Sequence, residues 1–224
     1  MVAASVFSAM VRRRSGRFGL ALVSGYALGM FPTADLVARR AGRDLRAEGS
    51  GNPGGANALK VMGTSAGATV MTVDIAKGAA ASAVGGALAG PAGAHLAGTA
   101  SVAGHCYPVW NGFRGVKGVA ASVGQCLATF PAYFPIDAAI AAGTAANPRW
   151  RQRAFATTSV SSACWVLGSV LWWRRGWVNL WGPRPSAMLP ISAALSSAMI
   201  IQRFLAARPP TPACIDPVDE AAAA

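Results

Sequence analysis

The sequence predicts an all-α, polytopic integral membrane protein with about seven transmembrane helices, several of them short. Three observations lead there. Hydrophobic residues make up 53% of the 224 residues and charged residues only 12%, whereas an ordinary soluble domain is about a quarter charged. The charges also cluster: 18–34, 78–113, 118–136, 154–173 and 185–202 contain no Asp, Glu, Lys or Arg, and runs of this kind suit spanning helices. Finally, Gly, Ala and Ser crowd these runs, as in Ala79–Ala83 and Gly85-Gly86, which lets membrane helices approach closely. The minor alternative is a soluble protein with several buried helices.

The elements follow in order. A basic segment, 1–17, precedes a first helix over 18–38 that kinks near Pro32. Its apolar run leads into Asp35 and Arg39 without a cleavage site, so a cleaved signal peptide is not expected. A polar loop follows, 39–62. Helix 2 is expected from Gly63 to Leu88 and helix 3 from Ala92 to Trp110, separated by the Gly90-Pro91 break. A second polar loop, 111–118, leads into 119–148, where Pro131, Pro135 and Asp137 divide the stretch into two short helices. A single long kinked helix, and so five rather than seven crossings, is the alternative. The last two helices are predicted over 154–173 and 186–205, and the Pro- and Ala-rich tail, 207–224, is read as disordered. Residues 18–206 therefore form one helical domain.

The net charge of +12 lies in short loops between helices, which fits lipid headgroups and the positive-inside bias rather than nucleic acid. With 39–62 in the cytoplasm and seven crossings, Arg39, Arg40, Arg43, Arg46, Lys60, Arg114, Lys117, Arg149, Arg151, Arg153, Arg203 and Arg208 fall inside. The outer side keeps Arg12, Arg13, Arg14, Arg17, Arg174, Arg175 and Arg184. The bias favours this orientation, although the N-terminal arginines oppose it. Cys106, Cys126, Cys164 and Cys214 show no C-x-x-C spacing, and His95 and His105 are the only histidines. No metal and no cofactor are expected.

Three constellations could carry chemistry. Gly49-Ser50-Gly51-Asn52-Pro53-Gly54-Gly55-Ala56-Asn57, with Lys60 behind it, is a glycine-rich polar loop. Its glycines permit left-handed backbone and close approach, and a loop presenting successive N–H groups suits a phosphate. An ordinary flexible loop is the alternative, and the spacing is not that of a P-loop. The second runs from His105 to Gly118 and sets interfacial aromatics before Arg114 and Lys117. An aromatic belt with snorkelling cations reads equally well. In the third, Asp74 and Lys77 share one helical face within the bilayer, where charges are expensive and pair up, for structure or for function. No Ser-His-Asp, Cys-His or paired-carboxylate engine stands out, and His105 is the one plausible base.

Together these stretches resemble the bacterial acyl-phosphate-dependent glycerol-3-phosphate acyltransferase family. Asp44-Leu45-Arg46 with Gly49 to Asn57 looks like its first motif, Asp74-Ile75-Ala76-Lys77-Gly78 like its Asp-x-x-Lys-Gly element, and Gly104 to Val109 with Phe113 to Val119 like its second motif. The resemblance implies seven helices in the bacterial inner membrane with the motif loops facing the cytoplasm. It implies transfer of a fatty acyl group from acyl phosphate to the 1-hydroxyl of glycerol 3-phosphate, giving lysophosphatidic acid. By position, Lys117, Ser50 and His105 would serve the chemistry. Gly49, Ser50, Gly51, Asn52, Gly54, Asn57, Lys60, Arg114, Lys117 and Ser159 would bind substrate, with Asp74, Lys77 and Arg46 as polar support. The chain departs from the family pattern in four places, one being the serine-bearing stretch that usually opens the penultimate helix, where only Ser159 matches. Gly55-Ala56 stands where Ala-Thr is usual, and Val116 where a glycine is usual. Ile200 to Arg208 replaces a His-Arg-x-Asn-Ile-x-Arg motif. A divergent, non-catalytic lipid-phosphate or anion-binding membrane protein is therefore the alternative reading. A transporter ranks last because no internal repeat is visible.

Overall fold

The computed structural model describes residues 2–147 and 153–207, and these are helical with no strand among them. The order is α1 (Val2–Gly29), α2 (Thr33–Arg40), α3 (Gly55–Met62), α4 (Thr64–Cys106), α5 (Val119–Thr129), α6 (Phe134–Ala145), α7 (Arg153–Arg175) and α8 (Met188–Leu205), with a 3₁₀ turn at Val109–Asn111. Arg149, Arg151, Arg208, Cys214 and the tail from 208 onward lie outside the described residues.

α4 is two limbs, 64–88 and 91–106. Gly90 takes φ 69° just before Pro91, so the chain turns there by the combination the sequence displays. The limbs lie against each other at Gly85 and Gly93, where a Cβ on either would strike the other's carbonyl. α1 crosses the second limb in the same way, with Gly25 on Ala97 and Gly29 on Ser101. α5 lies on the first limb through Gly78 against Ala121 and Gly124 against Ile75. Close backbone approach, rather than large side chains, knits these helices together.

The helices run between two ends. One end gathers the break after α1, both polar loops, the start of α7 and the end of α8, where Phe155 meets Phe204 at 5.8 Å. The other holds the α4 break, the α5–α6 turn and the 176–187 loop, tied by Asn179 Nδ2 donating to Thr129 O and Trp181 Nε1 donating to Leu127 O. Segments 15–40, 154–175 and 188–205 are long and apolar enough to cross a membrane, and outward leucines such as Leu20, Leu167 and Leu195 are more than half exposed. α5 spans 11 residues, about 16 Å and only half of a bilayer core.

Three boundaries differ from expectation. The first helix stops at Gly29, and α2 begins after Pro32, which has no N–H with which to continue a helix. Upstream, α1 continues through the basic segment as far as Val2. The first loop contains α3, separated from α4 by Gly63 alone, at φ 88°.

Candidate active site

The first loop is organised by Asn57. Its side chain is buried, with Oδ1 accepting from the Ser50 N–H at 2.8 Å and Nδ2 donating to Leu45 O and Glu48 O, both at 3.0 Å. Gly49 sits beneath it at φ 59°, where any Cβ would collide with Asn57 Oδ1. The Asn57 amide is thus committed to the backbone of the loop and shapes it. Within the loop Gly51 N donates to Glu48 O, Gly54 N to Asn52 O, and Ser50 N to Asn57 Oδ1. Ser50 remains exposed, as does Lys60 at the end of α3.

The second loop folds back onto the end of α4. Gly115 N donates to Cys106 O and Val116 N to His105 O, both at 3.0 Å. Gly118, at φ 92°, lies against Cys106 and Ile200, so glycine is required there both by conformation and by space. Trp110 Nε1 donates to Met30 O, while Trp110 and Phe113 are half or more exposed, as an interfacial belt requires. Arg46 joins the two loops: Nη1 donates to Arg114 O at 3.1 Å and Nη2 reaches Asp35 Oδ2 at 3.2 Å. A Cβ on Gly54 would come within 2.8 Å of Val116 Cγ1 and 3.0 Å of Asn52 Nδ2. The valine that departs from the family pattern is thus seated on the first loop. Arg114 is exposed, and its carbonyl accepts from Arg46 and Asn111.

Behind the loops lies a closed ionic cluster. Asp74 Oδ1 is 2.8 Å from Lys77 Nζ and accepts from Thr33 Oγ1 at 2.9 Å, Lys77 Nζ donates to Phe31 O at 3.0 Å, and His105 Nε2 stands 3.9 Å from Asp74 Oδ2. Asp74, Lys77 and His105 are each less than a tenth exposed. With Arg46 and Val116 they line a cavity of about 20 Å³, room for roughly one water.

Lys117 lies apart from that cluster. Half-buried, its Nζ is 4.3 Å from the centre of the Phe204 ring. Its pKa is held below the usual lysine value, first by burial and then by the charges of Arg203 and Lys60. Arg203 is anchored by Nε donating to Val116 O and Nη2 to Gly115 O, at 3.2 and 2.6 Å. Beside it, Tyr107 Oη donates to Gln202 Oε1 at 2.8 Å. Among the described residues no carboxylate lies within ion-pair distance of Lys60, Lys117 or Arg203. Three neighbouring cations without a counter-ion favour an anion. Ser159, on α7, returns its hydroxyl to Phe155 O at 2.9 Å, one turn from the ring that meets Phe204.

The sequence left open whether Gln202 or Arg203 replaces the contacts of the family's C-terminal motif, and it gave no part to Thr33 or to the Tyr107 hydroxyl. The only signal for the first two was that they occupy the place of the family's absent C-terminal motif. Among the described residues no group of three His, Cys, Asp or Glu is arranged to hold a metal.

Comparison with known proteins bears on this geometry. The family model for glycerol-3-phosphate acyltransferase matches residues 19–207. Glycerol-3-phosphate acyltransferase 1 of Dehalococcoides mccartyi is 43% identical over 117 residues, covering 51% of this chain and 56% of that protein. A glycerol-3-phosphate acyltransferase of Bradyrhizobium diazoefficiens is 35% identical over 155 residues, covering 69% and 76%. The chain thus spans about half the length of several curated relatives it matches. Two crystal structures of PlsY (YgiH), an integral membrane glycerol 3-phosphate acyltransferase, are similar in fold. The glycerol 3-phosphate form has TM-score 0.69 at 26% identity over 84% of this chain and 88% of that one, and the lysophosphatidic acid form has 0.68 at 25%. The fold is that of a multi-pass membrane protein. Because the family pattern runs from α1 to the end of α8 and takes in both converging loops, the chain belongs to the glycerol-3-phosphate acyltransferase family.

Proposed function

We propose that this protein transfers a fatty acyl group from acyl phosphate to the 1-hydroxyl of glycerol 3-phosphate, releasing phosphate and lysophosphatidic acid. The site would face the cytoplasm at the inner membrane of a bacterium, with seven crossings. The observation that carries the reading is the uncompensated cation group Lys60, Lys117 and Arg203, held against two interlocked loops in a member of this family.

Acyl phosphate already contains a good leaving group, so no protein nucleophile is required. The substrate hydroxyl oxygen bonds to the acyl carbon, the bond from that carbon to the phosphate oxygen breaks, and the hydroxyl proton passes to a phosphate oxygen. The protein's part is to orient two anions and offset charge as phosphate departs. Lys117, backed by Lys60 and Arg203, would supply the charge, and the exposed Ser50 hydroxyl a hydrogen bond. Asn57, Arg46 and the Asp74–Lys77 pair would hold the loops in place, with His105 closing the inner wall. Both substrates are anions and would bind on the open side, at the cations.

The test is direct. Purified protein in lipid or detergent receives palmitoyl phosphate and glycerol 3-phosphate, and lysophosphatidic acid is followed by mass. Product is expected from acyl phosphate and little or none from acyl-CoA. Binding of both ligands without turnover would favour the alternative, a non-catalytic lipid-phosphate-binding protein.

A further inference from the structure

We infer that Gln125 is a positioning residue: its buried carboxamide sets the register of α8 and thereby delivers Arg203 to the loop that bears Lys117. Gln125 lies on α5, fully buried, away from every residue proposed to touch substrate. Its Oε1 accepts from Ser196 Oγ of α8 at 2.7 Å, and its Nε2 donates to Thr99 Oγ1 of the second α4 limb at 3.2 Å. Gly98 makes room for it, since a Cβ there would approach Gln125 Cγ to 2.7 Å. One amide therefore ties three helices together in the apolar interior, where a lost partner is not replaced by water.

The consequence lies along one face of α8. Ser196, Ile200 and Arg203 are spaced by four and three residues, which puts them on the same side of the helix. Ser196 meets Gln125, Ile200 packs with Val102 and Cys106, and Arg203 reaches the carbonyls of Gly115 and Val116. Rotation or sliding of α8 would take Arg203 off those carbonyls. Apolar contacts among small residues leave such motion comparatively unopposed, whereas a directional hydrogen bond specifies one arrangement. A register fault at Ser196 would be read at Lys117, two turns of helix and one loop away.

The first readout rests on the acyl-transfer reading. Gln125→Leu keeps side-chain volume but removes both hydrogen bonds. In the full-length purified protein it should raise KM for glycerol 3-phosphate about tenfold with kcat within about twofold. Gln125→Glu, which as a neutral acid can both donate and accept, should restore most of the affinity. Arg203→Ala should give a similar KM, and the double variant should be no worse than Arg203→Ala alone, because both changes break one linkage. Fully additive effects, or a lower melting temperature with unchanged KM, would overturn the inference. A second readout is independent of turnover: amide exchange at Gly115 and Val116, which donate to Cys106 O and His105 O, should accelerate about tenfold in Gln125→Leu. Faster exchange in a protein that makes no product would sink the functional reading and sustain the positioning role. Unchanged exchange would overturn the positioning role whatever the activity.

Discussion

The two polar groups at the loop end of this molecule have opposite characters. Around Asp74 the charges are matched: a buried carboxylate faces an ammonium and a hydroxyl, with the His105 imidazole 3.9 Å away. Around Lys117 three cations gather with no carboxylate in reach, partly open to solvent. A matched pair ties α2 and the segment before it to α4. An unmatched group repels itself until something anionic arrives. The comparison teaches that intramembrane charges and anion-seeking charges, alike in sequence, separate into frame and site once partners are counted.

The sharpest way to break this contrast is Asp74→Ala. If the cluster is frame, stranding a buried lysine should cost about 3–5 kcal/mol. Thermal unfolding in detergent would measure it, and adding Lys77→Met should recover much of the loss. A melting temperature unmoved by Asp74→Ala would erase the distinction. The mirror experiment is Lys117→Ala, which should leave the melting temperature nearly unchanged while lowering kcat/KM about a hundredfold, or about 2.7 kcal/mol. Intermediate in kind is Asn57→Ala. It removes three hydrogen bonds that shape the first loop and should cost about 1–3 kcal/mol, seen as faster amide exchange over 45–50 together with a raised KM.

The smallest effect is one of pH. The pKa of Lys117 is depressed by burial and by its cationic neighbours, and only its protonated form attracts phosphate. As pH rises, affinity should therefore begin to fall at a lower pH than an ordinary lysine would dictate. Lys117→Arg should remove that alkaline limb, since a guanidinium stays charged. An alkaline limb that persists in Lys117→Arg would assign it to another group.

Much of this was legible beforehand because local chemistry dictates it. Gly90-Pro91 announced the break in α4, Pro131 and Pro135 announced the division between α5 and α6, and the pairing of Asp74 with Lys77 follows from three residues on one helix. α3 was not legible: a glycine-rich stretch reads as loop, and what makes it helical is packing of Ala58 with Leu45 and Val70 in one buried cluster. The partners of Asn57 were not legible either, because an amide in a polar loop signals a donor without saying to whom it donates. Nor could Arg203 be assigned, because its partners are backbone carbonyls that lie 87 and 88 residues away and carry no side-chain signature.

By itself the sequence determined that the chain is helical, that it belongs in a bilayer, and that it breaks at Gly90-Pro91 and around Pro131. Hydrophobicity, proline and glycine act through each residue and its immediate neighbours, so these properties can be read one stretch at a time. Tertiary structure alone decided that the two loops interlock through Arg46 and Gly54, that Lys60, Lys117 and Arg203 come together, and that Thr33 and the Phe31 carbonyl meet the Asp74–Lys77 pair. Those outcomes depend on distances between residues remote along the chain, and Coulomb forces and hydrogen bonds follow distance, not order.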